Sequence, residues 1–559
     1  MKKQLDLQLI AVFGGGLLFN FLFWMERLGV NLLLYSLFIF IVLFVEKEIP
    51  KSKKMLFAAA SHLLAALLVV YNQSSLTIII YYISLFIFIG FTHMQSLRSI
   101  FAVLLAAFLQ LITGPVNLVK KLISVKLGKF SLKPIIRPIK YIIIPIIVLI
   151  FFSILYSIAN PVFAKYVQLI ADNIGDAITS IYTFIFGELS FLRLLHIVLG
   201  ILFTAGIIIK FKDDGLEKAE LTLEEKMIRK KRNAKKFSFG YELTAIFAGK
   251  LMRKNMALKT ENIIGIISFA ALNLLILSLN VIDVSTLWLG NPSNIKTVNY
   301  SAELHEGTNA LIMSIVLAML VIIYFFSGNL NFFSRNKTIK ILAYLWIIQN
   351  AFLVLSVLLR DYNYVDMHGL TYKRIGVLVF LILCTIGLIT VYIKVAQQKT
   401  LFFLFKTNGF IWYCLLLVSG LVNWDVFIVN YNINNRDNIT LDLDHLLDMS
   451  DKTLPLLDTN RDLLKKYVSK SSYANRYVYD EVVTDTTAVT QVKTPIDTAQ
   501  LNIENKKRQM KAFDDDLDRR IESFNEKYKQ TSWLSWNFRD WQTKEYLFKN
   551  SPISSKKPN

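Results

Sequence analysis

Residues 341–359 read ILAYLWIIQNAFLVLSVLL, nineteen positions without a charged side chain. A helix needs roughly 20 residues to cross a hydrocarbon layer about 30 Å thick. Inside lipid the backbone must satisfy its own hydrogen bonds, so a run of this kind reads as a membrane helix. Eleven other apolar segments accompany it: 8–24, 29–45, 55–71, 76–91, 99–113, 141–159, 191–209, 262–282, 309–327, 375–393 and 401–422. The whole chain has 559 residues, 54% hydrophobic and only 18% charged. A soluble domain is nearer a quarter charged. The expected fold class is all-α: a polytopic transmembrane helix bundle of about 11–12 spans with a mainly helical extracytoplasmic C-terminal tail. The expected divisions are an N-terminal bundle over 1–209, a basic cytoplasmic loop over 210–260, a C-terminal bundle over 261–422 and a soluble tail over 423–559.

The first segment runs directly into Met25, Glu26 and Arg27 rather than a small-residue cleavage site, so it reads as a retained membrane segment. Orientation follows from the placement of Lys and Arg. Residues 210–260 carry fourteen and residues 114–140 carry seven, whereas 160–190 carries only Lys165 and 283–308 only Lys296. The first two stretches are therefore expected in the cytoplasm and the last two outside. Arg335, Lys337, Lys394 and Lys399 continue the alternation on the inside, which leaves the tail outside. Residues 46–54 also read as cytoplasmic, and three segments separate them from 114–140. Parity is restored if 99–113, short and interrupted by Gln110, is interfacial or re-entrant; twelve crossings with the N-terminus outside is the alternative. The net charge of +21 is thereby assigned to topology, and nucleic acid is not an expected partner.

In the basic loop, Thr222 and Glu225 fit a capping box opening a helix, followed by seven basic residues in Lys226–Lys236. In the tail, the leucines of 441–457 suggest a pair of short amphipathic helices, 470–500 a linker, and 501–530 a highly charged helix with little apolar face. Trp533, Trp536, Phe538, Trp541, Tyr546 and Phe548 then form an aromatic cluster suited to internal packing, to glycan or to a lipid interface. The lipid bilayer is the expected partner, with an envelope protein or glycan at the tail.

Chemistry is sparse. Six histidines show no metal-ligand spacing; only His62 and His196 lie at depth. Cys384 and Cys414 sit in apolar blocks and read as filler. There is no phosphate-binding loop or nucleophile elbow, and Gly14-Gly15-Gly16 suits close helix packing or a kink. No catalytic residue, metal ligand or cofactor is assigned. Asn160, Asn273, Asn280, Gln349, Asn350 and Asn408 are the polar residues within segments. Asn273, Gln349, Asn350 and Asn408 define a candidate intramembrane path, set against a plain role as interhelical glue. No carboxylate falls mid-segment, which weighs against proton coupling. A polytopic transferase would need a catalytic carboxylate in the first outer loop, where Glu26 stands alone on a loop too short for an acceptor site.

Three stretches carry a family resemblance: Leu304-His305-Glu306-Gly307; Arg360-Asp361-Tyr362-Asn363-Tyr364-Val365-Asp366 with Gly369-Leu370-Thr371 and Lys373-Arg374; and Asn423-Trp424-Asp425-Val426-Phe427-Ile428 with Asn430-Tyr431-Asn432, Leu441-Asp442-Leu443-Asp444 and Leu454-Pro455. Together they resemble a bacterial multi-pass membrane family, domain of unknown function 4173, sister to 4153, mainly over 260–460. Trp424 departs from the pattern, which has proline there. The resemblance implies a bacterial cytoplasmic-membrane protein and supplies no activity. By the expected topology the motifs lie at outer span ends, where Glu306, Asp361, Asp366, Arg374 and Asp425, with Arg360 and Lys373, define a candidate charged network: a binding site, or a lock between outer loops and tail. The leading expectation is a non-enzymatic envelope scaffold or sensor. A transporter of a small molecule or lipid is the alternative, and a membrane-embedded transferase a distant third.

Overall fold

The computed structural model describes residues 7–46, 52–124, 126–127, 130–131, 133–186, 190–210, 215–229, 258–289, 300–473 and 495–550. Among these, eight helices are long and apolar enough to cross a membrane, and four shorter apolar helical stretches accompany them. Helices dominate the described chain; a two-residue antiparallel pairing, β1 (Lys126–Leu127) with β2 (Phe130–Ser131), interrupts them. The chain divides into two compact units. One holds Met1–Leu97, Ala102–Lys218 and Thr531–Asn537; the other holds Arg98–Phe101, Ala219–Gln530 and Phe538–Asn559.

The first unit contains α1 (Leu7–Phe23), α2 (Val30–Val45), α3 (Lys53–Asn72), α4 (Ser75–His93), most of α5 (Ile100–Ser124), α6 (Lys133–Ala159), α7 (Pro161–Phe186) and α8 (Phe191–Ile208). Helices α1 and α8 lie in close contact at Gly16, where an added Cβ would sit 2.8 Å from the Ile201 nitrogen. Gly16 thus serves backbone approach, the way small residues let membrane helices pack without a hydrophobic driving force, and Gly15 meets the Thr204 and Phe38 side chains, whereas nothing lies within 4 Å of a Cβ at Gly14. Gln73, with φ of 44°, ends α3, and Ser74 and Thr77 form a capping box that opens α4. His62 joins this hairpin internally: its Nδ1 is 2.9 Å from Ser84 Oγ.

Two expectations change here. Helix α5 does not stop near residue 113. It runs 25 residues, through Pro115, and is long and apolar enough to span. Proline removes one backbone donor, and the apolar residues Val116, Leu118 and Val119 carry the helix on. The stretch 160–190, read as a loop, contains the 26-residue helix α7. Asn160 is its N-cap, accepting from Val162 and Phe163 amides at 2.9 and 3.2 Å, with Pro161 at the first helical position. Lys165, Gln168, Asp172 and Asp176 recur at helical spacing along one face, which is why the charges mimicked a loop.

The second unit is built on α10 (Leu258–Asp283, continued as one π-helical turn Val284–Trp288), α11 (Tyr300–Phe325), α12 (Lys337–His368), α13 (Tyr372–Ala396) and α14 (Leu401–Gly420). Phe269, Ile315, Ile322, Phe326, Leu353, Val357, Leu381 and Leu388 share its apolar core. Lys394, read as a loop charge, is fully buried, and its Nζ donates to Phe326 O at 2.6 Å. A lysine at the C-terminal end of α11 meets carbonyls left without intrahelical donors.

The expected capping box at Thr222 and Glu225 opens no helix. α9 (Gly215–Leu221) ends before it, and Thr222 bonds back to Ala219 O at 2.7 Å. Glu225 instead accepts from Lys406 Nζ at 2.5 Å, while its carbonyl receives the Thr400 amide at 2.9 Å. The rest of the basic run, 230–257, lies outside the described residues, as does most of the expected linker.

The tail opens with α15 (Trp424–Asn434) and continues with the expected short pair, α16 (Leu443–Leu447) and α17 (Leu454–Thr459), then α18 (Arg461–Leu464), α19 (Pro495–Lys529) and α20 (Phe538–Asn550). Its core joins Val429, Leu446, Leu457, Leu464, Phe513, Leu517, Phe524 and Leu547. α19 therefore does have an apolar face: Phe513, Leu517, Ile521 and Phe524 repeat at helical spacing. Arg461 pairs with Asp458 and Asp518 at 2.8 and 2.7 Å, and Lys465 with Asp514 at 3.0 Å, tying α18 and the residues around it to α19. Tyr546 joins the tail core, while Trp533, Trp541 and Phe548 are exposed.

Candidate functional site

The candidate amides are engaged in hydrogen bonds. Gln349 Nε2 donates to Asn273 Oδ1 at 2.8 Å, Asn273 Nδ2 donates to Leu342 O at 3.0 Å, and Asn280 Nδ2 donates to Gln349 O at 3.2 Å. These bonds sew α10 to α12. Asn350 turns back to its own helix at Trp346 O, 2.7 Å away. Asn408 pairs with Thr390 across α13 and α14 at 3.0 Å. Asn273, Gln349 and Asn408 thus bond across helix pairs, as polar side chains between membrane helices commonly do, while Asn350 bonds within its own helix.

The same seam ends in a pair that the sequence reading missed. Asp283, 1% exposed, accepts from Arg360, which lies 77 positions later. The π-helical turn begins at the next residue, and there Trp288 Nε1 donates to Ser356 Oγ at 3.3 Å. Single π turns inside helices are frequent at functional positions.

Beyond this pair, the C-terminal end of α12 and the start of α13 enclose a cavity of about 420 Å³. Three cations line it, Arg360, Lys373 and Arg374, with two carboxylates, Asp361 and Asp442. Asn309, Tyr364, Thr371, Tyr372, Val377 and His445 complete the wall. Arg374 is fixed from several sides. Its Nη1 donates to His368 O at 3.0 Å and to Gly369 O, and its guanidinium lies 4.3 Å over the Tyr364 ring. Tyr364 in turn stacks on His368 at 4.6 Å.

The turn that carries Arg374 is locked to the tail. Asn432 Oδ1 accepts from Leu370 N at 2.6 Å, and its Nδ2 donates to Leu370 O at 2.9 Å. Thr440 N donates to Met367 O at 2.9 Å, and Tyr372 OH donates to Asp425. Of the candidate network, Asp361 and Arg374 reach the cavity, and Asp425 stands beside it through Tyr372. Asp366 is exposed and does not line it. The Glu306 side chain lies outside the described residues. Asn432 and Asp442 stood in the quoted motifs without an assigned role, and His445 was only one of six scattered histidines; all three belong to the tail, and only the fold brings them to the turn.

Glu26 is also engaged. Its Oε2 accepts from Ser532 and Ser535 hydroxyls, each at 2.5 Å, while Arg27 N donates to Ser535 Oγ at 2.8 Å and Val30 N to Trp536 O at 3.2 Å. His196, the other histidine at depth, contacts Asn20 Oδ1 at 3.4 Å. Among the described residues no three His, Cys, Asp or Glu side chains are grouped to hold a metal.

No curated protein and no solved structure matches the chain. A family model does, over residues 34–460, which extends the likeness well into the N-terminal helices. The chain belongs to the family described as Domain of unknown function (DUF4153).

Proposed function

We propose that this integral membrane protein is a non-enzymatic scaffold that holds a folded, extracytoplasmic tail against its own span ends. The pairing of Asn432 with Leu370 carries the proposal. A buried side-chain amide makes the same two bonds with a turn that a neighbouring strand would make, and so ties the tail's first helix to the α12–α13 junction. The hydroxyl pair on Glu26 supports it from the other end of the tail, since a carboxylate already serving as an acceptor for Ser532 and Ser535 is a clamp rather than a free base. The bonds of Asn273, Asn280 and Gln349 support it too, because they join α10 to α12. The basic loops supply the orientation. An envelope protein or glycan is the partner class that the exposed Trp541 and Phe548 would suit.

Two alleles in the native host separate a scaffold from a transporter. One ends the chain after Leu421; the other carries Gln349→Leu with Asn408→Leu and keeps the tail. A scaffold gives the full deletion phenotype in the first and near-normal growth in the second. The reverse pattern would overturn the proposal.

A further inference from the structure

We propose that the pocket at the α12–α13 turn binds a phosphoethanolamine zwitterion, with its phosphate on Lys373 and Arg374 and its ammonium on Asp361. The charges of the wall point to a ligand of both signs. Arg360 is already matched by Asp283, which lies behind the wall. Lys373 and Arg374 then face Asp361 and Asp442, two against two. A simple anion would meet the carboxylates and a simple cation the two cations; a zwitterion satisfies both sets.

Capacity is available on both sides. Neither Lys373 nor Asp361 makes a hydrogen bond or ion pair with another described residue, and Arg374 Nε is buried without an acceptor. Lys373 is exposed and Asp361 half-buried, so both are open to a ligand, whereas a buried polar atom such as Arg374 Nε is normally satisfied. Arg374 is also held in place before any ligand arrives, by two carbonyls and the Tyr364 ring. Preorganisation of this kind lowers the cost of binding. The phosphate side lies at the first turn of α13, where free amides favour anions.

The ammonium must carry hydrogens. A quaternary ammonium is recognised by open aromatic faces. Here the Tyr364 face is covered by Arg374, and Asp361 offers a carboxylate that wants N–H donors. The cavity of about 420 Å³ is at the small end for ligand sites and has room for a headgroup. Val377 lines it one turn into the apolar run of α13, and Leu378 beside it is exposed, so acyl chains attached to the zwitterion would have an apolar surface to follow. The group can therefore come from a phospholipid or from free phosphoethanolamine.

The test uses the full chain in nanodiscs, with retained lipid read by native mass spectrometry. Phosphatidylethanolamine is compared with phosphatidylcholine and phosphatidylglycerol of the same chains, and soluble phosphoethanolamine is titrated separately. The expected result is retention of phosphatidylethanolamine over phosphatidylcholine by about tenfold, the scale of one charge-assisted hydrogen bond. Asp361→Asn should abolish that preference, and Lys373→Gln should weaken retention of both. Binding of soluble phosphoethanolamine with the same dependence on Asp361 would support the site and name the free compound as its source. Equal retention of the three lipids with no binding of soluble phosphoethanolamine would overturn the proposal. So would a preference for phosphatidylglycerol, or one for phosphatidylethanolamine that survives Asp361→Asn. If either variant fails to fold, the wild-type comparison of the three lipids decides. The proposal does not rest on the scaffold role, and its failure would leave that role standing.

Discussion

Asn432 and Leu370 stand 62 positions apart and exchange two hydrogen bonds, at 2.6 and 2.9 Å, through one side chain and one backbone unit. Asn432 is 5% exposed, so neither bond has water as a ready substitute. Replacing it with leucine would leave both Leu370 groups without a partner. Each buried group so stranded costs about 1–3 kcal/mol, and Asn432→Leu should therefore loosen the tail's attachment by about 2–6 kcal/mol. Hydrogen exchange should accelerate at Leu370 and through Trp424–Asn434, while α10 keeps its protection. Unchanged exchange in both segments would remove the clamp from the account.

Gly369 sets the geometry of that bond. Its φ is +76°, and an added Cβ would lie 2.6 Å from Asn432 Oδ1. With ψ near −176° the backbone is in a region that is essentially glycine's alone. Gly369→Ala should cost about 1–3 kcal/mol from the backbone, with the steric contact added. Because the contact is with Asn432, the effect should be less than additive with Asn432→Gly. Thermal unfolding of the four members of that cycle in nanodiscs gives the coupling, and strict additivity would count against it.

The helices were legible because lipid demands long charge-free runs, and all twelve apolar segments coincide with helices. What was lost was lost where a charge was read as a boundary. Lys165, Asp172 and Asp176 hid α7, although their spacing leaves an apolar face. The charged surplus of α19 likewise hid the stripe from Phe513 to Phe524. Asp283 was taken as the end of a span, since its partner Arg360 is on another helix and no local pattern links them. The candidate site was half visible. Asp361 and Arg374 announced themselves by charge at a span end, but Asp442 and His445 reach the cavity only through the fold of the tail.

The Asp283–Arg360 pair should behave as a buried ion pair does. Its Asp283 side chain is 1% exposed and its Arg360 side chain 17%. Removing one partner strands a buried charge, at about 3–5 kcal/mol. Asp283→Asn should therefore destabilise the second unit strongly. Asp283→Leu combined with Arg360→Leu should recover most of the loss, since apolar replacement of a whole pair is often neutral. Melting in detergent distinguishes the two, and a double variant no more stable than Asp283→Asn would argue against a simple ion pair.

Acid should release the segment around Glu225. The Lys406 hydrogen bond, outweighing the opposing effect of burial, holds the Glu225 carboxyl below its ordinary value of 4.5, with Lys406, Lys399 and Arg98 charges adding to it. A carboxyl lowered in the folded state contributes stability that is present above its unfolded value and is lost as pH falls through the folded one. The bond is partly exposed, so the effect is local rather than global. Protection of the Thr400 and Met227 amides, which bond to Glu225 O and Gln398 O, should then fall as pH drops below about 4.5. In Lys406→Met that acid step should move up toward the ordinary carboxylate range and shrink. An identical profile in wild type and Lys406→Met would place the acid sensitivity elsewhere.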